Sequence, residues 1–167
     1  MKKTLRSLSL FVAFCLMAAF VPLLRGGGTT AYADGDFTIE DGVLTRYSGT
    51  AEEVVVPDGV TTIGKNAFNS NTTIKKVTLP DSVQVIDDYA FNECRNLVSI
   101  NFPEGLLRIE WAAFAKCSSL VSINLPESLT SISLGSFSGC VNLRACSESL
   151  HARLACIFSA IFCQNPR

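Results

Sequence analysis

Three cysteines recur at one spacing and are the residues of this chain best suited to chemistry. Cys94, Cys117 and Cys140 stand at equal intervals along the sequence. Thiolates can bind metals, but metal ligands usually come as close pairs such as C-x-x-C, and the sequence contains no such pair. The spacing instead predicts a column of small buried thiols that pack as hydrophobic side chains. We therefore expect no metal and no cofactor.

The other candidates for catalysis are isolated. The single histidine, His151, stands beside no carboxylate, and no serine lies in a G-x-S-x-G motif. Gly26-Gly27-Gly28 follows no predicted strand, as a phosphate-binding loop would. The acidic pair Asp87-Asp88 is better explained by a solvated corner than by acid–base catalysis. These observations predict that the protein is not an enzyme.

The cysteines belong to a 23-residue unit that occurs four times without a gap, starting at Pro57, Pro80, Pro103 and Pro126. Its apolar residues follow L-x-x-L-x-L spacing. A period of about 20–29 residues with this spacing predicts a leucine-rich repeat solenoid. We expect the solenoid to be right-handed and mostly β, with short turn or 3₁₀ corners and an N-terminal β-hairpin cap.

Each unit predicts one coil of the solenoid. In the strand that ends at Pro103, Ile100 and Phe102 face the core, while Ser99 and Asn101 point to the other side. Proline ends the strand because it has no N–H to donate. An Ala-Phe or Ser-Phe pair marks the next corner. We expect its phenylalanines to stack in one internal column: Phe68, Phe91, Phe114 and Phe137.

The unit resembles a known repeat. Its consensus is Pro-acid-x-(Val/Leu)-x-x-Ile-x-x-x-Ala-Phe-x-x-Cys-x-x-Leu-x-x-Ile, and over residues 37–146 the chain is similar to the BspA-type leucine-rich repeat. The resemblance implies a secreted or surface protein of a bacterium or a parasitic protist. It also implies a protein partner, either a host matrix protein or the surface of another cell.

The chain divides into four parts by composition. Residues 1–33 have a basic start, an apolar middle and the A-x-A sequence Ala31-Tyr32-Ala33, which predicts a secretory signal peptide cleaved after Ala33. Residues 34–56 form the predicted hairpin cap, in which Asp41-Gly42 is a typical hairpin turn. The repeats occupy residues 57–148, and residues 149–167 form a tail.

The tail departs from the repeat after Cys146, and two interpretations are open. Leu150, Leu154 and Ile157 have helical spacing, which favours a C-terminal helix that caps the last coil. The alternative is a truncation or frameshift, after which the tail would not have evolved to fold with the repeats.

Charge excludes several classes of partner. The predicted signal segment holds Lys2, Lys3, Arg6 and Arg25 and no acidic side chain, so acidic side chains outnumber basic ones in the remainder of the chain. Such a mildly acidic domain without a basic stripe is not typical of nucleic-acid binding or of binding to anionic membranes. After removal of the signal peptide we expect no membrane span, because the tail is too short for one.

The predicted strands leave one polar surface as the candidate binding face. Its residues point away from the core on successive coils: Glu53, Lys76, Thr78, Ser99, Asn101, Ser122 and Asn124. Solenoids commonly bind along such a face. The sequence thus predicts a secreted or cell-surface protein that mediates protein binding or adhesion. The alternative is a structural or accessory repeat fragment of a larger surface protein or enzyme.

Overall fold

The structure is a computed structural model that describes residues 30–31 and 35–146. Over these residues the chain forms short β-strands joined by turns, without a helix. Several sequence-based expectations lie outside the described residues. They are the predicted signal segment except Thr30–Ala31, the last two residues of the predicted repeats, and the predicted tail 149–167.

Three sheets form two rows of strands along the solenoid, and each coil contributes one strand to each row. The first sheet contains β1 (Thr30–Ala31), β4 (Glu53–Val55), β6 (Lys76–Thr78) and β8 (Ser99–Ile100), followed by a separate pair, β10 (Ser122–Ile123) and β12 (Ala145–Cys146). The second sheet contains β2 (Phe37–Glu40), β3 (Val43–Tyr47), β5 (Thr62–Ile63), β7 (Val85–Ile86), β9 (Arg108–Ile109) and β11 (Ser131–Ile132). All strand pairs except β2 with β3 are parallel. The predicted β-solenoid is therefore confirmed.

The strand register reproduces the sequence period. Glu53 pairs with Lys76, and Lys76 pairs with Ser99, so that equivalent residues of neighbouring units lie side by side. The second sheet keeps the same offset, for example between Thr62 and Val85. Because side chains alternate between the two faces of a strand, this register places each apolar position of the unit in one internal column.

The N-terminal hairpin is formed as predicted. β2 and β3 are antiparallel, and the turn residues Asp41 (φ 50°) and Gly42 (φ 78°) both have left-handed backbone conformations. Two such residues in a two-residue loop match the twist of the flanking strands. β3 also pairs in parallel with β5, so the second strand of the hairpin is at the same time the first member of the second sheet.

An aromatic column runs through the core. Phe68, Phe91, Phe114 and Phe137 are buried, and their successive ring centroids lie 4.7, 5.0 and 5.2 Å apart with interplanar angles of 8°, 6° and 4°. Tyr47 extends the column, with its ring 5.1 Å from that of Phe68. The predicted alignment of the phenylalanines is thus confirmed, and the hairpin cap joins the same column.

The corners that carry these phenylalanines form a third ladder of hydrogen bonds. The Phe68 N–H donates to the Ala90 carbonyl (2.8 Å), and the Phe91 N–H donates to the Ala113 carbonyl (2.7 Å). At these corners the earlier coil donates to the later one. In the second sheet the later coil donates to the earlier one, as where Asp87 N–H donates to Ile63 O (2.9 Å), and between β4 and β6 of the first sheet donation runs in both directions. Stacking is therefore held by backbone bonds on three sides of each coil.

Each corner contains two left-handed residues four positions apart. They are Asn66 and Ser70, Tyr89 and Glu93, Ala112 and Lys116, and Gly135 and Gly139. Of the two corner conformations expected from the sequence, turns are therefore present rather than a continuous 3₁₀ helix. Left-handed conformations cost a residue with a Cβ roughly 1–2 kcal/mol, and only the last described corner uses glycine at both places.

Truncation of the aromatic column is expected to destabilise the fold strongly. Phe91→Ala should lower the free energy of unfolding by about 3–5 kcal/mol, because it removes a buried ring and leaves a cavity between two stacked neighbours. Urea unfolding followed by circular dichroism measures this change. The exposed Val141→Ala provides a control, for which a change within about 0.5 kcal/mol is expected. Equal losses in both variants would contradict the role of the column.

The two left-handed positions of the corners make opposite predictions, depending on whether the residue there carries a Cβ. Ser70→Gly should raise the free energy of unfolding by about 0.5–1 kcal/mol, since it relieves a left-handed conformation (φ 60°) at an exposed residue. Gly135→Ala should lower it by about 1 kcal/mol, because an added Cβ would be strained at φ 74° although its nearest neighbour lies 3.8 Å away. Ser118→Gly, at a residue without positive φ, should be destabilising. Stabilisation by that control as well would contradict the explanation.

Candidate functional site

The seven residues of the predicted binding face, which we term the polar stripe, lie together on the outer side of the first sheet and of the β10–β12 pair that follows it. The column Glu53, Lys76, Ser99 and Ser122 is exposed on four successive coils. Register pairs Glu53 with Lys76 and Lys76 with Ser99. A second column runs parallel to it, with Thr78 half-buried and Asn101 and Asn124 exposed. The structure therefore brings the predicted residues onto one surface.

Asn101 differs from the other members because its amide is used inside the solenoid. Its Oδ1 accepts a hydrogen bond from the Leu79 N–H (2.7 Å), and its Nδ2 donates to the Leu79 carbonyl (3.0 Å). The side chain thereby continues the coil-to-coil ladder where β8 has ended. Replacing Asn101 would leave backbone groups of Leu79 without these partners, so this residue contributes to stability as well as to the surface.

Two valines beside the polar stripe were missed by the sequence analysis. Val98 and Val121 immediately precede β8 and β10, and their exposed fractions are 46% and 47%. The same position carries Glu52 and Lys75 on the earlier coils, where Lys75 Nζ lies 2.7 Å from Glu52 Oε1. The exposed Arg144 takes this position on the coil after Val121, so the two valines lie between charged residues along the solenoid. A comparison of the repeats at this position would have revealed the two valines, because the position does not belong to the core and needs no apolar residue.

A second exposed apolar group lies at a corner. Trp111 is 51% exposed, Leu134 follows it on the next coil with 67% exposed, and Tyr89 packs edge-on against Trp111 at 4.9 Å. Trp111 is not among the site residues predicted from the sequence. The structure shows a tryptophan that is half exposed and held in place by an aromatic neighbour.

The carboxylates of Asp87 and Asp88 accept hydrogen bonds from the backbone of the corners. Asp87 Oδ1 accepts a hydrogen bond from the Asp88 N–H (2.7 Å), and Asp88 Oδ1 accepts one from the Trp111 N–H (3.2 Å). Asp88 also lies 3.6 Å from Lys65 Nζ. Over the described ranges, no group of three or more His, Cys, Asp and Glu side chains is placed to hold a metal ion. His151 lies outside those ranges.

The cysteine column is buried and bonded to the backbone. Each thiol donates to a phenylalanine carbonyl of the preceding coil at 3.1 Å: Cys94 to Phe68, Cys117 to Phe91 and Cys140 to Phe114. Burial raises the pKa of Cys94 to about 12, and the neighbouring Cys140 thiol together with burial raises the pKa of Cys117. All three are free thiols. A raised pKa disfavours the thiolate, so these groups are poorly suited to nucleophilic chemistry.

Comparison with known proteins gives a consistent family. The family model described as "BspA type Leucine rich repeat region" matches residues 38–165 with six copies. None of the curated proteins matches the chain. In the part of the chain that the structure describes, no helix is both long and apolar enough to cross a membrane.

Solved structures of bacterial leucine-rich repeat proteins are similar. A protein from Bacteroides capillosus has 30% identity and a TM-score of 0.50 over 56% of this chain and 80% of its own. One from Bacteroides ovatus has 28% identity and a TM-score of 0.56, covering 63% of this chain and 28% of its own. A "leucine rich cell surface protein" from Faecalibacterium prausnitzii has 27% identity and a TM-score of 0.51, covering 75% of this chain and 39% of its own. The chain thus spans well under half the length of the last two.

The buried thiols predict a loss of stability in alkali. The folded pKa of Cys94 is about 12, against 9.0 for an unperturbed thiol. Below pH 9 both states are protonated. Above it the unfolded chain loses the proton and the folded chain does not, so the free energy of unfolding should fall by about 1.4 kcal/mol per pH unit until about pH 12.

Urea unfolding of the wild type and of Cys94→Ala between pH 7 and 11 measures this contribution. The variant should lose some stability at every pH, because a buried atom is removed, but its stability should fall less steeply above pH 9. If the free energy of unfolding fell equally steeply above pH 9 in both proteins, Cys94 would not be a source of the loss of stability in alkali.

Proposed function

Since the chain belongs to the BspA-type leucine-rich repeat family, we propose that it is a secreted or cell-surface protein that binds a protein partner through the polar stripe and the adjoining valines. The observation that carries the proposal is the face itself. It presents exposed side chains on four successive coils in one register, with Val98 and Val121 exposed beside Ser99 and Ser122.

The composition of this face suits reversible protein binding. An apolar centre within a polar surround is the arrangement found where a few side chains supply most of the binding energy. Within the described residues, the side chains of Lys76, Ser99 and Ser122 make no hydrogen bond or ion pair, so they are available to a ligand. The host matrix or another cell surface, which the family resemblance suggests, is the proposed source of the partner.

The area of the polar stripe bears on the affinity. The four coils that start at Pro57, Pro80, Pro103 and Pro126 stack to roughly 20 Å, and a standard protein–protein interface needs about 800 Å² on each partner. The stripe alone is too narrow for that area. We therefore expect weak binding by a single copy and stronger attachment when many copies are displayed on one surface.

Secretion is part of the same proposal. The basic start, the apolar run and the A-x-A sequence before Asp34 support removal of residues 1–33 as a signal peptide. A cell-surface description of the Faecalibacterium prausnitzii neighbour supports an extracellular location. The proposed mature chain begins at Asp34.

Charge placed at the two valines should weaken binding. The double variant Val98→Arg and Val121→Arg should reduce capture by immobilised matrix proteins or by cells about tenfold or more, because two bulky charges would be buried against the partner. Binding is measured with protein displayed in many copies on beads, so that weak attachment is detectable.

A matched control is available on the second sheet. Gln84→Arg and Leu107→Arg change the equivalent exposed positions before β7 and β9 and add the same charge. This control should bind like the wild type, and both variants should unfold within about 0.5 kcal/mol of it. Binding that is unaffected by the valine substitutions, or reduced equally by the control, would refute the assignment of the face.

A further inference from the structure

The two sheets end differently at the N-terminal end of the solenoid. The second sheet ends in β2, a four-residue strand that turns back on β3 and covers its edge. Among residues 30–31 and 35–146, only β1, which consists of Thr30 and Ala31, covers the outer edge of β4 in the first sheet. β1 belongs to the segment that the proposed cleavage after Ala33 would remove. Removal would turn β4 into an edge strand with unpaired backbone groups.

The pairing of β1 with β4 shows how a strand binds at this edge. It is parallel to β4, with Thr30 in register with Glu53 and Ala31 with Val54. The sequence offset between β1 and β4 equals the offset between β4 and β6, where Glu53 is in register with Lys76. The edge of β4 thus accepts a strand at the place and in the direction of one more coil.

The backbone groups that face this edge can be identified. Glu52 O accepts a hydrogen bond from the Lys76 N–H (3.0 Å), and the Val56 N–H donates to Thr78 O (2.9 Å), so both residues face β6. Backbone groups alternate sides along a strand, and Glu53 and Val55 therefore direct theirs to the outer edge. Unpaired strand edges bind extended peptides through such groups.

We propose that, in the secreted chain, the outer edge of β4 binds an extended segment of a partner protein as a parallel strand, in the register that β1 occupies. This inference rests on the proposed removal of the signal peptide. The exposed Glu53 side chain borders the site, so the partner segment carries neutral or basic residues opposite it, and β1 itself contains only Thr and Ala. We propose that the partner is a different protein rather than a second copy of this chain, because β4 also carries Glu53, the first residue of the polar stripe that we propose binds protein.

The test uses secreted protein whose mass shows that it begins at Asp34, and a synthetic peptide of residues 26–35 as the probe. The peptide should bind saturably and raise the melting temperature. A peptide with proline in place of Ala31 should bind about tenfold more weakly, which corresponds to the loss of one or two backbone hydrogen bonds. The uncleaved precursor should bind less peptide, because its own segment covers the edge.

Two variants of β4 make the test specific. Val55→Pro removes an N–H that faces the edge and leaves the ladder with β6 intact, so it should fold but lose peptide binding. Val55→Thr keeps the N–H and should bind like the wild type.

Absence of binding to the folded secreted chain, equal binding by the proline variant, or a dimer that occupies the edge would overturn the proposal. A mature mass that still includes Thr30 and Ala31 would instead show that the processing step is wrong, and with it both the open edge and the proposed cleavage site.

Discussion

The spacing between hydrogen-bonded backbones governs this structure. Parallel strands pair at about 4.8 Å, and the solenoid repeats that distance with every coil along both sheets and along the corner ladder. Stacking of aromatic rings is favourable at nearly the same separation, and the phenylalanine centroids lie 4.7–5.2 Å apart. Backbone pairing and core packing therefore favour the same geometry, and neither strains the other.

Because equivalent residues of successive coils lie directly above one another, the side chains within each column must be compatible with each other. Buried columns meet this requirement with apolar or weakly polar groups, as the phenylalanines and the cysteines do. On the surface, residues of opposite charge at equivalent positions become ion pairs. Lys116 lies 2.6 Å from Glu93 of the preceding coil, and this contact, with Arg95 adding to it, lowers the pKa of Glu93. Such exposed pairs contribute little to stability, but they keep columns of like charge from forming.

The two surfaces that we propose bind partners lie where the repeat is interrupted. A perfectly repeated face would offer every ligand the same shallow surface, whereas the first sheet changes from the Glu52–Lys75 pair to Val98 and Val121 within two coils. The N-terminal end of the described coils is the other interruption, since the row of paired strands ends there. At the N-terminal end the hairpin closes one sheet, while the other depends on a two-residue strand.

The sequence by itself determined the repeat period, the core columns, the hairpin and the residues of the polar stripe. Each of these follows from local patterns, namely apolar spacing, proline positions and the Asp-Gly turn. Only the tertiary structure decided which side chains are used between coils and which remain exposed. The Asn101 amide is bonded to Leu79, β3 joins the second sheet, and the corners adopt left-handed conformations at residues as unlike as Tyr89 and Lys116. These features depend on partners in the neighbouring coil, and no local pattern encodes the distance between atoms that meet only when the coils stack.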